Sequence, residues 1–336
     1  EHTNAWNCVL SNGYPDMRVP PVNIALPGFS WAYGRCACLV ASTMAGVTNI
    51  VVDPFSPEAA LAAIAAESPT HVHGAPAVYR MLLEGLLDYP EAGQSSFLGF
   101  HYAGSTMPWE MGRQLRSRAH LLTCYGLSEI SPVTSNSPRE DEETQVRSSG
   151  VVVPGNEAWI GDEEGRRLGP GEEGEIHVRG PGLALGYLRR PEANESAFPE
   201  PGLFRTGDLG FMDERGRLHI TGRSKDVIDR GGVKFSPREV EELLLTYPGI
   251  RNVAVVGMPD PRLGERSCAF VVLEKQSGPV ALPAVVDFLR AQGIATHKLP
   301  GRLETIDELP TTVTGKVQKY VLRQQIAAAM QAKPAG

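Results

Sequence analysis

An aspartate at 208 and an arginine at 223 stand on glycine-bearing stretches at the two ends of an apparent hairpin. Phe204-Arg205-Thr206-Gly207-Asp208 reads as a turn. Leu209–Met212 and Arg217–Thr221 read as strands joined at Asp213-Glu214-Arg215-Gly216, so the hairpin returns Gly222-Arg223 beside Gly207-Asp208. A carboxylate that accepts two hydroxyl hydrogen bonds and a guanidinium that donates from a rigid fork can grip a sugar diol. The same pair can also be a plain salt bridge on a surface hairpin.

Two further stretches carry chemistry. Tyr125-Gly126-Leu127-Ser128-Glu129 follows the apolar run Leu121-Leu122-Thr123. It offers an aromatic for stacking on a base, a glycine for close approach, a hydroxyl for phosphate and a carboxylate for a hard cation. Lys316 ends Thr311-Thr312-Val313-Thr314-Gly315 just ahead of a predicted helix, where it can neutralise an anion or simply be a solvated lysine.

The elements that must position these residues follow from periodicity and punctuation. Up to about residue 145, strand and helix signals alternate. Val22–Leu26, Thr48–Val52, Thr70–His73 and Phe97–Tyr102 read as strands, and Tyr33–Ala45 as a buried helix. A helix capped by Ser56 with Pro57 at its first position runs to Ala66, and another spans Pro76–Leu87. This alternation predicts a mostly parallel sheet covered by helices, with ligands at the carboxyl ends of the strands, where Ala103–Thr106 and Cys124–Glu129 fall. From 146 to about 224 glycine and proline become frequent and helix signals fade, which predicts a small antiparallel β subdomain that includes Ala158–Ile160 and Gly174–Arg179. From 225 to 336 the pattern is α+β: a helix opened by Ser236-Pro237 and running to Tyr247, strands at Asn252–Gly257 and Cys268–Leu273, helices at Leu282–Gln292 and Val317–Met330, and a frayed tail at Gln331–Gly336.

Composition excludes several classes. A net charge of −7 and no long basic run argue against nucleic acid, and no apolar run reaches the roughly 18 residues of a membrane span. The five cysteines, Cys8, Cys36, Cys38, Cys124 and Cys268, support neither a disulfide framework nor a zinc site. His71 and His73 would share one face of a strand and are read as structural. No signal peptide is visible, a reducing cytoplasmic compartment is expected, and a start at Glu1 rather than Met suggests a fragment or a trimmed product.

Taken in order, these stretches resemble the acyl-adenylate-forming superfamily, in particular the acyl-CoA synthetases of the AMP-dependent synthetase/ligase family, from about Ile24 to Lys319. The resemblance implies a large AMP-binding domain, here an α/β part (1–145) and a β subdomain (146–224), followed by a mobile α+β C-terminal domain (225–336) hinged at Lys225. It implies that Gly104, Ser105 and Thr106 form the adenine-side loop, that Tyr125 and Gly126 pack near adenine, that Ser128 meets phosphate and that Glu129 holds Mg²⁺. Asp208 and Arg223 match the ribose clamp, and Gly174–Ile176 through Gly186-Tyr187 match a structural β motif. Lys234 lies in the loop that faces the site for thioester formation. Lys316 matches the lysine that orients carboxylate and phosphate. The implied substrates are ATP, a fatty or aromatic acid and coenzyme A, with AMP-forming ligation through an acyl-adenylate.

The sequence departs from this pattern in places. The family's Gly/Ser/Thr-rich phosphate loop ending in Pro-Lys is absent, and Glu1–Asn4 resembles the segment that follows it. The chain is therefore expected to begin just after that loop, with a truncated large domain that by itself adenylates poorly. Ser30 stands where the family often has His, in the stretch leading to Trp31 and Tyr33, which either line an acyl tunnel or pack in the core. Asp229, Arg230 and Lys234 replace commoner residues. Two alternatives accompany the ligase reading. One is a non-catalytic AMP-binding remnant. The other is an adenylation domain that loads a carrier protein, against which Lys225 and Pro237 argue.

Overall fold

A computed structural model of the chain describes residues 22–88, 97–312 and 316–331. The expectations for Glu1–Asn4, Cys8, Val313–Gly315 and the last five residues lie outside the described residues. The chain forms two compact units, Glu1–Ile220 and Thr221–Gly336.

The first unit carries a seven-stranded sheet. In chain order its elements are β1 (Val22–Ala25), α1 (π-wound over Gly34–Ala41, then α-helical over Ser42–Met44), β2 (Thr48–Val51) and α2 (Pro57–Glu67). They continue as β3 (His71–Gly74), α3 (Pro76–Leu87), β4 (Gly99–Tyr102), α4 (Trp109–Arg116), β5 (His120–Tyr125), β6 (Thr134–Ser135), α5 (Glu142–Arg147) and β7 (Val151–Val152). The sheet order is β2-β1-β3-β4-β5-β6-β7. β1 to β5 pair in parallel, and β6 and β7 add antiparallel strands at one edge. Ile24, Val72, Phe100 and Leu121, one from each inner strand, pack on one face with Ile64, Tyr79, Leu82 and Leu115 of the covering helices. Ser56 caps α2 through Oγ, which accepts Ala59 N–H at 3.1 Å. The helix after Tyr33 forms, but it is π-wound and only partly buried, with Leu39 and Met44 exposed. Gly34 permits its close approach, since a Cβ there would stand 2.3 Å from the carbonyl oxygen of Gly28.

The β subdomain of the first unit is a four-stranded sheet ordered β11-β10-β9-β8, made of β8 (Glu157–Gly161), β9 (Gly174–Arg179), β10 (Phe204–Met212) and β11 (Leu218–Arg223), with α6 (Pro191–Ala197) between β9 and β10. Two expectations are corrected here. Phe204–Asp208 is strand, not turn, because β10 begins at Phe204 and absorbs Thr206-Gly207-Asp208 as a bulge. Helix does not vanish after 145, since α6 forms, with no buried residue to give it an apolar stripe. The turn after Met212 is held by Asp213, whose Oδ1 accepts the N–H groups of Arg215 and Arg217, each at 2.9 Å.

The second unit contains β12 (Ile228–Arg230), β13 (Val233–Phe235), α7 (Arg238–Leu244), β14 (Ile250–Asp260), β15 (Gly264–Leu273), α8 (Leu282–Ala291), β16 (Arg302–Thr305) and α9 (Lys319–Gln331). Strand alternation sorts its core cleanly. Val253, Val255, Ala269 and Val271 pack with α7 and α8, while Ala254, Val256, Cys268 and Phe270 pack with Leu322 and Ile326 of α9. The segment read as a loop from Gly231 to Pro237 contains β13, antiparallel to β12. Ser236 Oγ accepts the N–H of Arg238, the first residue of α7, at 3.4 Å and donates to the Thr221 carbonyl at 2.7 Å, with Pro237 at the N-cap position itself. Gln331, expected to open a frayed tail, is the last residue of α9.

Candidate functional site

β4 and β5 are neighbours in parallel, so the loops at their carboxyl ends leave the sheet side by side. The β4 loop holds Gly104, Ser105 and Thr106, all exposed. Gly104 has φ +90°, and a Cβ there would meet nothing within 4 Å, so the backbone is open on that side. The β5 loop begins at Tyr125 and turns at once. Leu127 N–H donates to the Ile130 carbonyl at 2.8 Å and Val133 N–H to the Tyr125 carbonyl at 2.7 Å. Gly126 lies against Ser131, 3.0 Å from where a Cβ would stand to Ser131 Oγ, so a side chain there would press on the turn.

The structure joins this loop to the bulge of β10. The Tyr125 hydroxyl donates to Asp208 Oδ2 at 2.9 Å across 83 residues of sequence. Asp208 is 5% exposed and Tyr125 8% exposed, so the bond is shielded from water. Glu129 is held in a similar way. Its Oε1 accepts the Tyr187 hydroxyl at 2.6 Å, and its carbonyl accepts Ala184 N–H at 2.7 Å. Burial, and then the bond to Glu129, push the Tyr187 phenol up to about 12. Ser128 beside it is exposed.

Tyr187 is the partner that sequence reasoning placed only within a structural motif. The signal for it was an aromatic with a polar tip in a glycine-rich loop, without a hint of what the tip would touch. Glu129 fits a hard cation: it is a half-buried carboxylate with one oxygen fixed by Tyr187. No group of three or more His, Cys, Asp or Glu among the described residues could hold a metal ion. An ion at Glu129 would thus take its other ligands from phosphate and water, the usual manner of Mg²⁺.

The remaining expected residues, Arg223, Lys225, Lys234 and Lys316, belong to the second unit. Arg223 is the last residue of β11 and half-buried. Lys225 is exposed in a short 3₁₀ turn, Ser224–Asp226, and Asp226 Oδ1 accepts Arg323 Nη1 of α9 at 3.0 Å. Lys234 is exposed on β13. Lys316 is exposed and pairs with Thr312: Thr312 N–H donates to its carbonyl at 2.9 Å, and its own N–H donates to Thr312 Oγ1 at 3.2 Å.

His71 and His73 are joined by a third imidazole that sequence reasoning missed. His101 of β4 stacks on His73 with ring centroids 4.4 Å apart and lies 5.1 Å from His71. Tyr33 Oη and His73 Nδ1 are 3.1 Å apart. All three imidazoles are buried.

The family model of AMP-binding enzymes matches residues 1–188, and that of the AMP-binding enzyme C-terminal domain matches residues 239–316. The medium-chain fatty-acid–CoA ligase of Escherichia coli (strain K12) is 38% identical over 290 residues, covering 86% of this chain and 51% of that protein. The salicyl-AMP ligase / salicyl-S-ArCP synthetase of Mycobacterium tuberculosis (strain ATCC 25618 / H37Rv) is 34% identical over 299 residues, covering 88% of this chain and 52% of that protein. The crystal structure of ATP-bound MatB from Rhodopseudomonas palustris superposes with a TM-score of 0.86 at 30% identity, over 96% of this chain and 63% of that one. The chain thus spans about half the length of the curated relatives it matches.

Proposed function

The chain belongs to the AMP-binding enzyme family, and from that membership we propose that it serves an ATP-dependent, AMP-forming acid–CoA ligase acting through an acyl-adenylate. The observation that carries this reading is the bond between Tyr125 and Asp208. It sets an aromatic ring and a buried carboxylate together at the carboxyl edge of a parallel sheet, which suits a base and its ribose. We assign the adenine side to Gly104, Ser105, Thr106, Tyr125 and Gly126, the ribose diol to Asp208 and Arg223, and phosphate to Ser128.

In the first step a carboxylate oxygen of the acid attacks the α-phosphorus of ATP, and the bond to the pyrophosphate leaving group breaks. Two anions approach one another, so Lys316 is assigned to offset their repulsion and orient both. Mg²⁺ at Glu129, where Tyr187 holds the carboxylate, would supply further neutralisation of phosphate charge. In the second step the CoA thiolate attacks the acyl carbon and AMP leaves. Lys316 has no task in that step, and we assign Lys225 as the pivot on which the domain from 225 to 336 turns, with Lys234 facing phosphate afterwards. The acid is assigned to the fatty or aromatic class, with Trp31 and Tyr33 toward it, and the compartment to the cytoplasm. Cys38 and Cys268 are buried thiols. No helix among the described residues is long and apolar enough to cross a membrane.

The test is acid-dependent pyrophosphate release by a polypeptide that joins this sequence to the family's phosphate loop, followed by transfer to CoA. Release with one class among short, long and aryl acids, and a thioester of CoA as product, is expected. AMP binding with no release on any acid would instead indicate a non-catalytic nucleotide binder. A carrier protein accepted in preference to CoA would favour the loading reading, which the name of the mycobacterial relative keeps in view.

A further inference from the structure

The bulge that presents Asp208 is an unusual piece of backbone. Against β9, Arg205 stands opposite His177 and Leu209 opposite Glu175. Four residue steps on β10 therefore match two on β9, so β10 carries two extra residues at this point. Gly207 in the middle takes φ +69°, which suits glycine.

Side chains meet the N–H groups of the bulge. Glu175 Oε1 accepts Gly207 N–H at 3.0 Å, and its Oε2 accepts Arg205 Nε at 2.9 Å and Nη2 at 2.5 Å. Thr206 Oγ1 donates to the Ile176 carbonyl at 2.8 Å and accepts Asp208 N–H at 3.1 Å. The Glu175 side chain is 15% exposed, and both its oxygens are engaged with the residues just ahead of Asp208.

We propose that Glu175 is a positioning residue for Asp208: its carboxylate clamps Arg205 and Gly207, and thereby sets the direction in which Asp208 meets a ribose diol. The inference rests on the diol-gripping reading of Asp208. A carboxylate is the group the geometry needs. One oxygen takes the Gly207 N–H of the bulge, and the other takes a charge-assisted fork from the Arg205 guanidinium. Glutamine keeps the length and one acceptor but cannot take both sets of donors as an anion. Glu175 engages Arg205 and Gly207, directly ahead of Asp208, so its effect is read through what Asp208 does.

The experiment is calorimetric titration of the 336-residue chain with AMP and with 2′,3′-dideoxy-AMP, which lacks the diol. The wild-type chain is expected to prefer AMP. In Glu175→Gln the AMP affinity falls about tenfold, the size of one charged hydrogen bond, while the dideoxy nucleotide binds as before. Glu175→Asp, shorter by one methylene, is expected to fall between the two and guards against a Gln variant that does not fold. Equal losses for both nucleotides, or no loss for either, in a chain whose wild type prefers AMP would overturn the positioning role alone. A wild-type chain that shows no preference for AMP would overturn the diol reading and the inference together.

Discussion

Asp208 and Lys316 are assigned to the same nucleotide chemistry, and the fold holds them in opposite ways. Asp208 is 5% exposed on a strand, bonded to Tyr125 and aimed by a bulge whose N–H groups are met by Glu175 and Thr206. Lys316 is exposed beside Thr312, and Lys225 and Lys234 in the same unit are exposed as well. A group that binds the same ribose throughout a reaction gains from a fixed, dry setting, because a preorganised dipole does not have to reorganise. A group needed for one step and obstructive in the next cannot be tied down in this way. The contrast in burial is what the proposed two-step reaction with a moving lysine would ask of Asp208 and of Lys316.

Lys316→Ala gives the largest break in that comparison. Removing a cation that offsets charge in the transition state costs on the order of 10²–10³ in rate. Acid-dependent pyrophosphate release should fall by that factor, while thioester formation from a supplied acyl-adenylate stays near the wild-type rate. Equal losses in the two half-reactions would show that Lys316 is as fixed in its task as Asp208, and the contrast would fail. A smaller effect probes the rigid side. Tyr125→Phe keeps the ring and removes only the O–H donated to Asp208. Loss of a hydrogen bond to a charged group corresponds to about tenfold in AMP affinity. Unchanged affinity would mean that Asp208 is held well enough by its bulge, and that the cross-loop bond is dispensable.

The elements were far easier to read in the sequence than their joints. Pro76–Leu87 was legible to the residue because a proline at the first position and a helical apolar stripe agree. Asn252–Gly257 was legible as a strand because it holds a continuous apolar run, and each face of β14 meets a different helix layer. Phe204–Asp208 was misread because Thr, Gly and Asp in sequence are turn formers. What keeps them in a strand is Glu175, about thirty residues upstream. α6 was silent because it buries nothing, and β16 because its register is set by a parallel neighbour far back in the chain. At the candidate site, the residue types with chemistry could be named from the sequence. Their supports, Tyr187 on Glu129 and Tyr125 on Asp208, are long-range contacts that leave no local pattern.

The smallest effect concerns the sheet on which the rigid side is built. Burial lowers His71 to about 4 and His73 to about 3, with the charge of His71 acting on His73 in the same direction. His101 is lowered well below the usual imidazole range by burial and then by His73 and His71. In the unfolded chain each would titrate near 6.5. Between about pH 6.5 and 4 the unfolded state thus binds protons that the folded state refuses, so stability is complete above 6.5 and declines as the pH falls toward 4. Thermal melts between pH 7.5 and 5.5, a range in which ordinary carboxylates hardly titrate, should show a midpoint that drops by several degrees. His73→Gln is expected to lower the midpoint at every pH and to reduce the slope, because one depressed imidazole is gone and its charge coupling to the other two with it. His120 and His177, both lowered mainly by burial, remain in that variant and keep part of the slope. A slope unchanged by His73→Gln would mean that the cluster folds without excluding protons, and that the rigid side of the site does not rest on neutral imidazoles.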